Sequence, residues 1–281
     1  MAVDYCVALD CDPKLHFGNG NCFAGSADIL ERLKSRDRGA VLVQLATQKG
    51  EDAAGLRITL RVPDRNGNPV QKEVSLAELQ AEAKPLEAQS AACSACPANF
   101  LGKPYGCFGV VNYPIPAAAE KWLLGRVQPF GTVGANLCLD FMSEFGVSGD
   151  PIRQMREGGF FENPKAQKIT FKKGFLKSVS ITADQLLETI LMAGEALNPG
   201  HCFGILLWLG AIKVDGKVPG GPEDQATIQR LMTLTTRKAK EQHTALETGP
   251  PPASEEAQVF GALVKAIYLS WLHDVPLLMS A

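Results

Sequence analysis

The spacing of Cys93-Ser94-Ala95-Cys96-Pro97 and Gly106-Cys107 constrains this chain more than any other feature of its sequence. Three of its eight cysteines fall within 15 residues, in the turn-rich stretch CSACPANFLGKPYGCFG. A Cys-x-x-Cys pair on a tight turn aims two sulfurs at one point. A third thiolate returning from a short loop then supplies another corner of a tetrahedron. Residues 86–107 are accordingly expected to form a loop around an iron–sulfur cluster or, alternatively, zinc, with Cys93, Cys96 and Cys107 as ligands. A single knuckle leaves the fourth position undefined. A cluster tolerates this, since its remaining iron can take a distant cysteine, a histidine or a substrate. Cys202 or His201, in a glycine-flanked stretch, is the preferred fourth ligand, and Cys11 is the next. Cys138 lies in a helical apolar context that favours a packed thiol, and Cys6 and Cys22 stand behind these. The competing reading is that the cysteines are reduced and fill space.

Size and composition narrow the setting. At 281 residues, 46% hydrophobic and 21% charged, the chain has ample material for a core, as one large domain or two intimately associated ones. Large proteins do not need a metal to staple the fold, so a metal–thiolate centre here would serve electron transfer or small-substrate activation. A formal net charge of -2 gives no global field for nucleic acid or anionic lipid. The start MAVDYCVALD has no basic n-region, and no apolar run reaches membrane-spanning length. Eight cysteines without a secretory signal read as thiols and ligands in a cytoplasmic protein.

The fold class expected is α+β. Residues 1–116 form a strand-rich region with the cysteine loop, and residues 117–281 a mainly helical one with a basic β-excursion at 149–181. Tyr5 to Leu9 reads as a buried strand. His16 to Cys22 reads as a loop closed by Ser26 as N-cap, with helices on either side of Gly39. Alternation over Leu56–Val62, the turn Asn66-Gly67-Asn68 and alternation after Val70 spell a β-hairpin. Ser75-x-x-Glu78 and Thr182-x-x-Gln185 are capping boxes. Helices are expected over 117–127, 135–145 and 222–242, with a linker at 248–252. An apolar strand is expected after His201-Cys202. Val259, Leu263, Ile267 and Trp271 share one face of a final amphipathic helix.

Two further constellations carry residues suited to chemistry. Asp10-Cys11-Asp12 after an apolar strand resembles the first motif of haloacid-dehalogenase-type phosphotransferases, which would imply a nucleophilic carboxylate. The resemblance covers only that short stretch. Pro13 departs from the pattern, and neither the lysine motif nor a terminal acidic pair follows. Two carboxylates at a strand-end turn are the simpler reading. The stretch 150–177 interleaves Arg153, Arg156, Lys165, Lys168, Lys172, Lys173 and Lys177 with Phe160, Phe161, Phe171 and Phe175. That pattern suits either a stacking platform for single strands or a half-exposed hairpin with lysine out and phenylalanine in. The near balance of charge argues for the hairpin. Phosphate-loop, dinucleotide, nucleophile-elbow and zinc-protease motifs are absent, and four histidines make a multi-histidine site improbable. A protein or small-molecule partner is left open. The alternative to a metal centre is a scaffold or regulatory interaction protein, zinc-stabilised or metal-free, that uses the Lys/Phe excursion or a helix face.

Overall fold

The computed structural model describes residues 2–63, 69–127, 131–173, 177–192, 194–209, 211 and 255–280. The hairpin turn at 66–68, the helix expected over 222–242 and the linker at 248–252 lie outside these residues. The fold is α+β, with antiparallel sheets and predominantly helical connections. The chain divides into two compact units. One comprises 1–9, 97–101 and 106–281, and the other 10–96 and 102–105.

The first unit is organised by β1 (Ala2–Val7), whose residues Val3, Tyr5, Cys6 and Val7 are buried. Strand β4 (Phe108–Asn112) pairs with it antiparallel on one side, with Tyr5 opposite Gly109. On the other side lies β8 (Leu277–Ser280), with Tyr5 opposite Met279, and β8 in turn pairs with the two-residue β7 (Ala196–Leu197). The sheet order is therefore β4-β1-β8-β7. Gly109 is required by this register: a Cβ there would lie 2.3 Å from the Tyr5 ring. That ring stacks on Phe100 at 5.9 Å.

The last helix, α10 (Glu255–His273), covers the sheet and packs on α5 (Ala117–Val127) and α9 (Pro199–Trp208). Of the expected face Leu263, Ile267 and Trp271 are buried and Val259 is half-buried, with Phe260 from the neighbouring line buried beside them. Trp122 of α5 stacks on Phe260, and Phe203 of α9 on Trp271. Helices α6 (Gly131–Glu144), α7 (Asp150–Glu157) and α8 (Ala183–Leu191) complete the unit with the hairpin β5 (Lys168–Lys173)–β6 (Lys177–Thr182). Thr182 and Gln185 form the expected capping box at the start of α8.

The second unit is built on one 28-residue helix, α2 (Cys22–Lys49), preceded by the short α1 (Asp12–Phe17). The Asn21 side chain caps α2 through Ala24 N–H, so the helix begins before Ser26 and runs through Gly39 unbroken. Gly39 is buried within the helix and faces Leu76 and Leu79. Strands β2 (Arg57–Pro63) and β3 (Pro69–Ser75) form the expected hairpin, with Ile58 opposite Val74. The Ser75–Glu78 capping box opens α3 (Leu76–Ala83), followed directly by α4 (Pro85–Gln89). Leu42, Val74, Leu76 and Leu79 form the core of this unit, with Leu56, Ile58 and Leu60 packed against it. Arg32 and Ser35 of α2 tie it to α3 through the Glu82 carbonyl and carboxylate.

Candidate functional site

The four cysteines expected to ligate a metal sit in different kinds of element. Cys93 is buried and ends a single 3₁₀ turn, Ser90–Cys93. Cys96, half-buried, closes the following turn, its N–H donating to the Cys93 carbonyl at 3.3 Å. Cys107 is buried at the entry to β4, where its carbonyl accepts the Val7 N–H at 3.1 Å.

Cys202 is sealed inside α9, which replaces the strand expected after it. The Asn198 side chain caps this helix and Pro199 opens it. The Cys202 Sγ points to the Leu197 carbonyl at 3.8 Å, and burial pushes its thiol up to about 12. A metal ligand must be a thiolate, so binding at this cysteine would have to offset the cost of ionising a buried thiol. His201 occupies the third turn position of the same cap, hydrogen-bonded to Asn198. Cys138 is fully buried in α6, and burial drives its thiol far up. Cys11 stands just ahead of α1 without a capping bond. Among the described residues, no three histidine, cysteine or acidic side chains are gathered to hold a metal ion.

The Asp10–Asp12 stretch leads into α1. Asp12 and Pro13 form the first turn of α1. Burial pushes the Cys22 thiol up to about 11. The Lys14 charge lowers it, the hydrogen-bonded Asp10 raises it, and a Ser26 hydrogen bond lowers it. Lys14, Cys22 and Ser26 are all buried. Gly25 lets α1 approach, since a Cβ there would lie 1.7 Å from the Lys14 carbonyl oxygen.

The basic excursion divides in two. Its first part folds as α7, and Arg156 is buried there at the centre of an ion network that the sequence did not single out. The guanidinium donates to Glu120, Asp184 and the Asn163 carbonyl and lies 4.2 Å over the Phe161 ring. The second part is the β5–β6 hairpin, with Lys168, Thr170 and Lys172 exposed and Ile169, Phe171 and Val179 half-buried. This is the lysine-out arrangement, with Phe161 buried under Arg156 and Phe175 outside the described residues.

A concave feature lies in the second unit. Helix α2 and the α3–α4 segment enclose a trough of about 730 Å³. Gly39, Ala40 and Val43 line one wall, and Ala81, Ala83 and Leu86 the other. Pro104 and Tyr105 close one end, held there because the Tyr105 hydroxyl donates to the Leu86 carbonyl at 2.7 Å. Arg36, Lys84 and Glu87 supply its charged positions. Ala40, Val43 and Ala81 are exposed along it. The volume falls within the range of ligand-binding clefts, about 300–1,000 Å³. Sequence reasoning missed it because the trough arises from two helices some 40 residues apart. The local signal was alanine on both, with Gly39 beside Ala40 on α2.

The chain matches no family model, no curated protein and no solved structure.

Proposed function

We propose that this chain is an interaction protein whose α2/α3–α4 trough docks a short amphipathic helix of a partner protein. The observation that carries the reading is the lining. Alanine on both walls, Ala40 facing Ala81 and Ala83, lets a guest backbone approach closely, while Val43 and Pro104 offer apolar contact. Among the lining charges, Arg36 and Lys84 outnumber Glu87, so the guest is expected to carry acidic residues beside its apolar stripe. Among the described residues, no helix is long and apolar enough to cross a membrane. Eight cysteines standing as thiols support a cytoplasmic setting for such a partner.

The test is selection of a displayed library of amphipathic helical peptides on the full chain, followed by affinity measurement on Ala40→Trp and Ala81→Trp. Both positions are exposed, so circular dichroism should show both variants folded. Selected peptides should lose at least about tenfold in affinity, about 1.4 kcal/mol, on each plugged variant. Failure to select any binder, or binders indifferent to both substitutions, overturns the reading.

A second reading keeps the metal–thiolate centre, iron–sulfur or zinc, reduced to what the turn favours: Cys93 and Cys96 as a ligand pair. Its test is elemental analysis and the visible spectrum of anaerobically purified protein. Stoichiometric iron with broad absorption near about 400 nm, or stoichiometric zinc, supports it. Protein without either metal overturns it.

A further inference from the structure

We propose that Cys93 and Cys96 form a reversible intrachain disulfide by thiol–disulfide exchange, with Cys96 as the sulfur that exchanges first. The inference is independent of the trough and rests on the geometry of one turn. Cys96 N–H donates to the Cys93 carbonyl at 3.3 Å, closing Cys93-Ser94-Ala95-Cys96 as a hydrogen-bonded four-residue turn. Ser94 is right-handed helical at φ -65° and ψ -36°, and its hydroxyl donates to the Ala91 carbonyl at 2.9 Å, which fixes the turn from the preceding side. Turns of this kind hold their first and last Cα atoms within about 7 Å. Disulfides span Cα separations of about 4.4–6.8 Å. The separation such a turn allows overlaps the range the bond requires.

The two sulfurs also differ in access. Cys93 is 6% exposed, whereas Cys96 is only half-buried. A low-molecular-weight disulfide of the glutathione class can reach Cys96 but not Cys93. The Cys96 thiolate attacks one sulfur of that disulfide, forming a mixed disulfide and expelling one small thiolate. The Cys93 thiolate then attacks Cys96 Sγ, forming the intrachain bond and expelling the second. Two protein thiols are oxidised, one small disulfide is reduced to two thiols, and the two protein protons pass to those products.

The experiment equilibrates the full chain in buffers of graded glutathione and glutathione disulfide, quenches with acid, alkylates and weighs the peptide containing residues 93–96. The expected product is a peptide lighter by two hydrogens, with both cysteines protected from alkylation. Its ratio to the dithiol should rise in proportion to disulfide concentration divided by the square of thiol concentration, the law for a two-thiol exchange. Cys93→Ser should instead trap the mixed disulfide on Cys96, and Cys96→Ser should leave Cys93 reduced. Three results overturn the proposal: both cysteines alkylated at every ratio, protection without the mass change, or wild-type protein that stops at the mixed disulfide. Because the wild-type concentration law is itself diagnostic, the outcome does not hang on whether either variant folds.

Discussion

Arg156 donates from both Nε and Nη2 to a single oxygen of Asp184, at 2.8 and 2.6 Å, with side-chain exposures of only 1% and 8%. The same guanidinium reaches Glu120 at 2.6 Å, and Glu120 is fully buried. One cation thus neutralises carboxylates from α5 and α8 while sitting on α7. A nearby backbone contact, Gly149 N–H to the Glu188 carboxylate, ties the start of α7 to α8 as well.

Removing the cation should therefore cost more than removing either anion. Arg156→Ala leaves two buried carboxylates without their partner, and breaking such a pair costs about 3–5 kcal/mol. Asp184→Asn keeps a hydrogen-bond acceptor and leaves Arg156 paired with Glu120, so its loss should be smaller. Urea unfolding of both variants provides the comparison. An Arg156→Ala loss below about 1 kcal/mol would show that the network contributes little to the fold.

Two glycines should respond with opposite sign to the same added methyl group. At Gly25 the new Cβ would meet the Lys14 carbonyl oxygen at 1.7 Å, a backbone atom that cannot rotate away. Gly25→Ala should lose at least about 3 kcal/mol, the upper end of overpacking costs. Gly125 lies exposed within α5 with nothing near the added carbon. Gly125→Ala should gain about 0.5–1 kcal/mol from helix propensity alone. Thermal melts of the two variants decide it, and a stable Gly25→Ala protein would refute the close α1–α2 approach.

Local signals were legible in the sequence, and long-range ones were not. Ser75–Glu78 and Thr182–Gln185 each complete within four residues, and both capping boxes form. The alternation of Ile58 and Leu60 likewise found its partners a short hairpin away. Gly39 reads as a break because a helix-interior glycine is unfavourable in isolation, yet α2 runs through it unbroken, packed against Leu76 and Leu79. The apolar run after Cys202 was read as a strand. Such a run is ambiguous by periodicity, and the cap at Asn198-Pro199 was the signal that could have resolved it. The pairing of β1 with residues 277–280 joins the two ends of the chain and leaves no trace in spacing. Arg156 looked like one more surface cation because its partners lie 36 and 28 residues away. The cysteine loop was recognised as distinctive, but spacing alone does not say whether sulfurs converge. Within that loop a backbone hydrogen bond closes the turn from Cys93 to Cys96.

His201 gives the chain a defined acid sensitivity. Burial lowers its pKa below the ordinary 6.5, with Glu144 opposing the shift. Its ring meets the Phe141 and Phe145 rings nearly edge-on, and Nδ1 accepts the Asn198 N–H at 3.4 Å. Protonation places a hydrogen on the acceptor nitrogen and a charge among aromatic rings. The folded state therefore binds this proton less readily than the unfolded chain. The sign follows from linkage: the unfolded state holds more protons between the lowered value and 6.5, so stability rises with pH across that window. The contribution is complete above about 6.5 and is lost as pH falls through the lowered folded value. His201→Gln, which cannot titrate, should flatten this part of the profile while leaving other acid-induced losses in place. Urea midpoints measured from pH 7.5 down to about 5 on both proteins test it. Parallel profiles for wild type and His201→Gln would show that the imidazole titrates in the fold as it does in the unfolded chain.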